Sequence, residues 1–159
     1  MARQQSDWFE DAYQQTRQHV WRYLLRRLPR AEVEDALADV YVRAWNSRRS
    51  LRGEPLPWLY GIARHVVAAT LAEAGKPQDP PWIRADASSA EEEATVRSEA
   101  LRALRRLNPK EREAVLLIAW EGLTPRQAAR AAGCTTAAIT LRLHRARRRL
   151  EREDEHEHS

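Results

Sequence analysis

Two short segments constrain the fold more tightly than anything else in this chain: Asn108-Pro109-Lys110-Glu111 and Thr124-Pro125-Arg126-Gln127. Each supplies an N-cap side chain, a proline at the first helical position and, three residues on, a side chain able to bond back to the N-cap backbone. The first helix they open ends at Gly122, where the missing side chain suits a left-handed C-terminal residue, and Gly133 breaks the second. The first helix therefore runs through Val115, Leu116, Ile118 and Ala119 to Gly122, and the second is Ala-rich and lasts two turns, to Ala132. Thr135 or Thr136 caps a last helix with its apolar face at Ile139, Leu143, Ala146 and Leu150, which leaves Arg142, Arg145, Arg148 and Arg149 off that face.

Capped helix, glycine turn and basic helix in that order form a helix-turn-helix signature. Ala128, Ala129 and Ala132 are small enough to let the two helices approach. The N-terminal turn of the second helix then enters a major groove about 12 Å wide. Arginines supply register and affinity through phosphates, while Thr136, Ala137, Thr140 and Arg142 are placed where base edges are read. An ordinary helical hairpin with a solvated basic face would not explain the order of the elements.

Charge supports the same reading. The net charge of +4 conceals a strong segregation. Residues 1–74 carry +2, residues 75–100 carry −3, residues 101–150 carry +9 and residues 151–159 carry −4. A stretch that cationic, almost all of it arginine, is the footprint of a polyanion binder, with nucleic acid the first candidate.

The N-terminal half predicts three amphipathic helices in one bundle. From Asp7 to Leu28, apolar residues recur at Phe9, Ala12, Tyr13, Val20, Leu24 and Leu28, one face of a 3.6-residue period that ends at Pro29. Val33, Ala36, Leu37, Val40, Tyr41, Ala44 and Trp45 form a second stripe that ends near Asn46 or Ser47. After a loop over 48–57, Trp58, Leu59, Ile62, Ala63, Val66, Val67 and Leu71 form a third, stopping before Gly75. From Gly75 to about Thr95 the composition turns to Pro, Asp, Ser and a run of Glu91-Glu92-Glu93, and this predicts a flexible linker with Trp82 and Ile83 as its exceptions. Helix resumes at about Ala94 to Leu107.

The expectation is an all-α protein of two small helical domains, 1–74 and 96–151, joined by a linker at 75–95 and followed by a disordered acidic tail at 152–159. The longest apolar runs, such as Ala114–Trp120, fall far short of the roughly 20 residues that span a bilayer. No apolar signal core stands at the N-terminus, so no membrane insertion and a cytoplasmic location are expected. A single cysteine, Cys134, excludes an internal disulfide and lacks neighbours at zinc-ligand spacing. It reads as a small buried hydrophobe rather than a redox sensor. His156 and His158 belong to the acidic tail. With no glycine-rich phosphate loop, no metal cluster and no nucleophile beside a base, neither an enzyme nor a cofactor is expected.

Over nearly its whole length the chain resembles the extracytoplasmic-function sigma factors of the sigma-70 family. LNPKEREAVLLIAWEGLTPRQAARAAGCTTAAITLRLHRARRR, Leu107 to Arg149, is similar to sigma region 4, most specifically in EGLTP, the AAG turn and RLHRAR. FEDAY, VWRYLLRRL, EDALADVYVRAW and LRGEPLPWLYGIARHVV are similar to region 2, and the two motif sets stand in the expected order.

The resemblance implies a factor that binds RNA polymerase core, with promoter DNA and an anti-sigma protein as further partners. Core contact falls to Glu34, Leu37, Asp39, Tyr41 and Arg43. Contact with the minus-10 element and its separated strand falls to Asn46, Arg48, Arg49, Arg52, Trp58 and Arg64. Contact with the minus-35 element falls to Arg126, Gln127, Thr136, Ala137, Thr140, Arg142 and Arg145. On physical grounds loop arginines suit phosphates and Trp58 or Tyr60 offers a stacking face, although Trp58 and Trp45 at helical spacing also suit a core. Ala38 replaces the family's Gln, Thr140-Leu141 replaces Lys-Ser, and Ala68-Ala69-Thr70-Leu71 replaces a basic run. Fewer cations imply weaker sequence-independent DNA affinity and a shallower salt dependence. Two alternatives remain open at this point: a stand-alone helix-turn-helix regulator, and a sigma-like interaction module without promoter activity.

Overall fold

The computed structural model describes residues 2–73, 75 and 91–157, with side chains from Glu99 onward in the second stretch. Seven α-helices and no strand occur among the described residues, and the chain divides into two units, Met1–Pro80 and Pro81–Ser159.

In the first unit α1 spans Ala2–Leu25, α2 Arg30–Asn46 and α3 Pro55–Glu73, with a 3₁₀ turn at Arg48–Ser50 between the last two. Helix α1 begins earlier than the apolar pattern from Asp7 implies. All three helices pack on one another through Val20, Leu24, Val33, Val40, Leu59 and Val66, all essentially removed from water. A second layer is aromatic: Tyr23 stacks on Tyr60 with centroids 5.0 Å apart, worth about 1 kcal/mol beyond its area. Arg27, buried just past α1, donates to the Tyr23 carbonyl at 2.9 Å and lies 3.5 Å above the Tyr23 ring. A cation here satisfies a helix-end carbonyl and meets the negative end of the α1 dipole.

The second unit contains α4 over Glu91–Arg106, α5 over Pro109–Val115, α6 over Pro125–Ala132 and α7 over Thr136–Glu157. Both capping boxes form. The Glu111 and Gln127 amides donate to Asn108 Oδ1 and Thr124 Oγ1 at 2.8 and 3.2 Å, while their side chains accept from the Asn108 and Thr124 amides. Helix α5 ends sooner than its apolar run suggests, because Leu116–Trp120 widens into a π turn; the Glu121 amide reaches back to Leu116 O at 3.0 Å. Gly122 adopts a φ of 71°, the left-handed geometry expected of it, and Gly133, which ends α6, adopts a φ of 69°. The core of this unit joins Leu104, Leu107, Leu116 and Ala146, with Val115 and Leu150 against it. Arg112 is buried and donates to Leu104 O and Leu107 O, each at 3.0 Å, so it closes the end of α4 as Arg27 closes α1.

Two expectations are corrected. Residues 152–157, taken as a disordered acidic tail, continue α7. Two of their acidic side chains meet Arg106 of α4, Glu153 at 3.1 Å and Asp154 at 3.6 Å. Likewise helix resumes at Glu91 rather than near Ala94. The rest of the 75–95 segment, with Trp82 and Ile83, lies outside the described residues apart from Gly75, as does His158. No helix among the described residues is long and apolar enough to cross a membrane.

Candidate nucleic-acid interface

Helices α6 and α7 pack together across the glycine turn; Ala128, Ala129 and Ile139 are buried, while Ala132, expected to ease the same approach, is half-buried. The methyl side chains allow this closeness. Thr135 caps α7, its Oγ1 accepting from the Ala138 amide at 3.1 Å. The outer face of α7 then presents Thr136, Ala137, Thr140, Leu141, His144, Arg145 and Arg148, all exposed.

Several of the residues expected at DNA already have bonds within the protein. Arg142 is half-buried and directs Nη1 to Cys134 Sγ at 3.4 Å, across the turn. Gln127 serves the α6 capping box, and the Thr140 hydroxyl donates to Thr136 O at 3.1 Å. Arg126 and Arg145 are exposed. Cys134, expected buried, is only partly so.

Arg149 departs furthest from its expected place among the phosphate-reaching arginines. Its Nε and Nη2 donate to Glu111 Oε1 and Oε2 at 2.9 and 3.3 Å, and Glu111 is 2% exposed. Burial pushes the Glu111 carboxyl up. The Arg149 hydrogen bond, the Asn108 amide and the charges of Arg149 and Arg145 outweigh it and hold the carboxyl below the ordinary value of 4.5. This pair ties α7 to the start of α5. Sequence periodicity marks Arg149 as off the apolar face but carries no sign of a partner 38 residues away.

In the first unit the candidate residues fall into three places. Glu34, Leu37 and Tyr41 lie along one face of α2 and line a groove of about 560 Å³ with Tyr13, Arg17 and Trp21 of α1. Leu37 and Tyr41 are largely buried in its floor. Tyr41 shares a 2.7 Å hydrogen bond with Thr16, and burial pushes its phenol up to about 12. Asp39 and Arg43 sit on a different face and pair with each other at 3.0 Å. Beside them Val42 is 59% exposed. The sequence reading missed Val42, although its place off the stripe of Val33, Ala36, Leu37, Val40, Tyr41 and Ala44 was visible.

The third place is the loop after α2. Arg48 lies 3.9 Å over the ring of Trp45 and donates to Trp45 O at 2.8 Å. Trp45 in turn packs edge-on against Phe9 at 5.1 Å and keeps one side in water. Arg52 donates to Arg49 O and Leu51 O at 3.2 and 3.1 Å, so the loop's own carbonyls orient its cations. Asn46, Arg49 and Arg52 are exposed, and Trp58 and Arg64 are half-buried on α3. Among the described residues no cluster of His, Cys, Asp and Glu has the makings of a metal site.

A helical bundle followed by a helix-turn-helix unit with a cationic outer face is the architecture of a nucleic-acid-binding protein. Comparison with known proteins makes the class specific. Residues 12–76 match the family model for sigma-70 region 2, and residues 97–150 match that for sigma-70 region 4. RNA polymerase sigma factor YlaC of Bacillus subtilis is 30% identical over 158 residues, covering 92% of this chain and 91% of its own. ECF RNA polymerase sigma factor BldN of Streptomyces coelicolor is 29% identical over 160 residues, covering 93% and 61%. The fold is also that of the sigma factor RpoE from Bartonella quintana, solved with the anti-sigma factor NepR. The TM-score is 0.66 at 21% identity, with 91% of this chain and 94% of that one covered. The chain belongs to the extracytoplasmic-function group of the sigma-70 family of RNA polymerase sigma factors.

Proposed function

We propose that this chain joins RNA polymerase core in the cytoplasm and directs it to promoters, supplying recognition and strand opening while bond-making chemistry stays with the polymerase. The observation that carries the reading is the exposed outer face of α7 on a properly capped helix-turn-helix, in a chain that matches both sigma regions. In this reading Arg126, Thr136, Ala137, Thr140 and Arg145 face the minus-35 element, with Arg145 on phosphate. Gln127 and Arg142 act at one remove, by holding the cap and the turn.

Asn46, Arg48, Arg49, Arg52, Trp58 and Arg64 face the minus-10 element, where an aromatic ring beside oriented arginines suits an unstacked base. Glu34, Leu37, Asp39, Tyr41 and Arg43, joined by Val42, serve the polymerase core, since an exposed apolar residue among paired charges is the composition of an interface. An anti-sigma protein is a further partner, because a protein that competes for those surfaces would silence both units.

The test is run-off transcription by purified core polymerase on a pool of promoter fragments, with and without this chain, followed by sequencing of the transcript starts. The expected result is a set of new starts sharing two spaced upstream elements. Tight core binding without new starts would overturn the reading in favour of an interaction module, and DNA binding by a dimer without core would favour a stand-alone regulator.

A further inference from the structure

Leu141 is 47% exposed on the outer face of α7, although the buried apolar seam of the same helix, Ile139 and Ala146, lies only a few residues away. A single exposed leucine is ordinary on a protein surface; what sets this one apart is its place on the outer face of the helix-turn-helix, among cations. It lines a concavity of about 540 Å³ that holds Arg145, Arg148, Arg149 and Arg152 against Glu111 and Glu153, so its surroundings carry a net positive charge and suit a polyanion rather than an apolar protein surface.

The chemistry of the neighbouring positions narrows the ligand. In helix-turn-helix docking the first turns of the second helix meet the base edges. Over residues 136–143 of α7 the one cation is Arg142, which is half-buried and directed at Cys134 Sγ. Asn and Gln are absent from the same stretch. A bidentate guanine contact needs an outward Arg or Lys, and a bidentate adenine contact needs Asn or Gln. The Thr140 hydroxyl proton is already given to Thr136 O. What Ala137, Thr140 and Leu141 offer together is apolar surface, and the apolar group on a major-groove base edge is the C5-methyl of thymine.

We propose that Leu141 is the specificity-determining residue of this face and packs against a thymine methyl in the minus-35 element, with Arg145 one turn on holding the adjacent phosphate. This rests on the sigma-factor reading above. The consequence is a promoter preference for thymine at one defined minus-35 position, read without a hydrogen bond.

The test uses holoenzyme assembled from core and the full chain, on a promoter fragment recovered by run-off transcription. Each minus-35 thymine is replaced in turn by deoxyuridine, which lacks only the methyl group. At one position binding is expected to weaken about fourfold, the effect of one buried methyl-sized group. Leu141→Ala, which keeps helix propensity, is expected to bind the thymine and uracil promoters alike, and Leu141→Met to restore discrimination. Equal binding of both promoters by the unmodified chain at every position would overturn the assignment, as would discrimination that survives in Leu141→Ala. A holoenzyme that forms no initiation complex overturns the sigma reading itself, whereas one that initiates but ignores the methyl overturns the Leu141 assignment alone.

Discussion

Replacing Glu111 by alanine isolates the device that holds the reading helix. The carboxylate is 2% exposed and takes three hydrogen bonds, from Arg149 Nε and Nη2 and from the Asn108 amide. Hydrogen bonds to a charged group are worth about 1.5–3 kcal/mol net. Because the Arg149 side chain is 46% exposed and so partly screened, a loss of about 2 kcal/mol is expected for Glu111→Ala. That corresponds to about a thirtyfold rise in the opening equilibrium of the second unit.

Hydrogen exchange by mass spectrometry on the full chain reads this directly. Amides of α5 and α7 should exchange about thirtyfold faster, while those of α1–α3 stay unchanged. Less than a threefold change, or equal acceleration in both units, would refute the reasoning. Arg149→Met should accelerate the same amides, and the double variant should fall short of the two single effects combined, because they break one pair. The pH dependence follows from the direction of the shift. A carboxyl held below 4.5 in the folded state contributes stability that is complete above its unfolded value and lost as pH falls through the folded one. The stability difference between the unmodified chain and the Glu111→Ala variant should therefore stay flat from about pH 5 to 8 and shrink only in more acidic solution.

Arg145→Ala should lower the slope of log affinity against log salt by about 0.9, one phosphate contact, whereas Arg149→Met should leave the slope unchanged; equal slopes for both variants would return Arg149 to the DNA face. Asp39→Arg reverses a charge beside the exposed Val42 and places it next to Arg43, so core affinity measured by fluorescence anisotropy should fall at least tenfold, and unchanged affinity would move the core contact off α2. Tyr41→Phe removes the 2.7 Å bond to Thr16 and should cost the first unit about 1 kcal/mol in urea unfolding. A phenol raised from 10.0 to about 12 contributes stability that is full below pH 10 and lost between there and 12, so the Tyr41→Phe difference should shrink and then reverse sign within that window.

The helices of the second unit were legible because their starts and stops are written locally: Asn108, Thr124, Gly122 and Gly133 act on their own backbone within a turn. The stripes of α2 and α3 were legible for a related reason, since the burial of Val33, Val40, Leu59 and Val66 follows the helical period. Charge was where local reading stopped. Glu153 and Asp154 looked like a solvated tail until Arg106, from a helix distant in sequence, met them. Leu116–Trp120 looked like one more helical turn, and its π widening depends on how Gly122 and Leu123 bring the chain back, with the Leu123 amide on Leu117 O at 3.0 Å.

By itself, then, the sequence determined the helices, the cationic character of the second unit and the family, because caps, period and motif spacing are properties of neighbouring residues. Tertiary structure decided which arginines remain available to a ligand. Arg149 is taken by Glu111, Arg142 is directed at Cys134, and Arg27 and Arg112 close helix ends. A side chain's partner is whatever the packing brings within about 3 Å of it, and in each of these cases except the local Arg27 bond that group comes from another element of the fold.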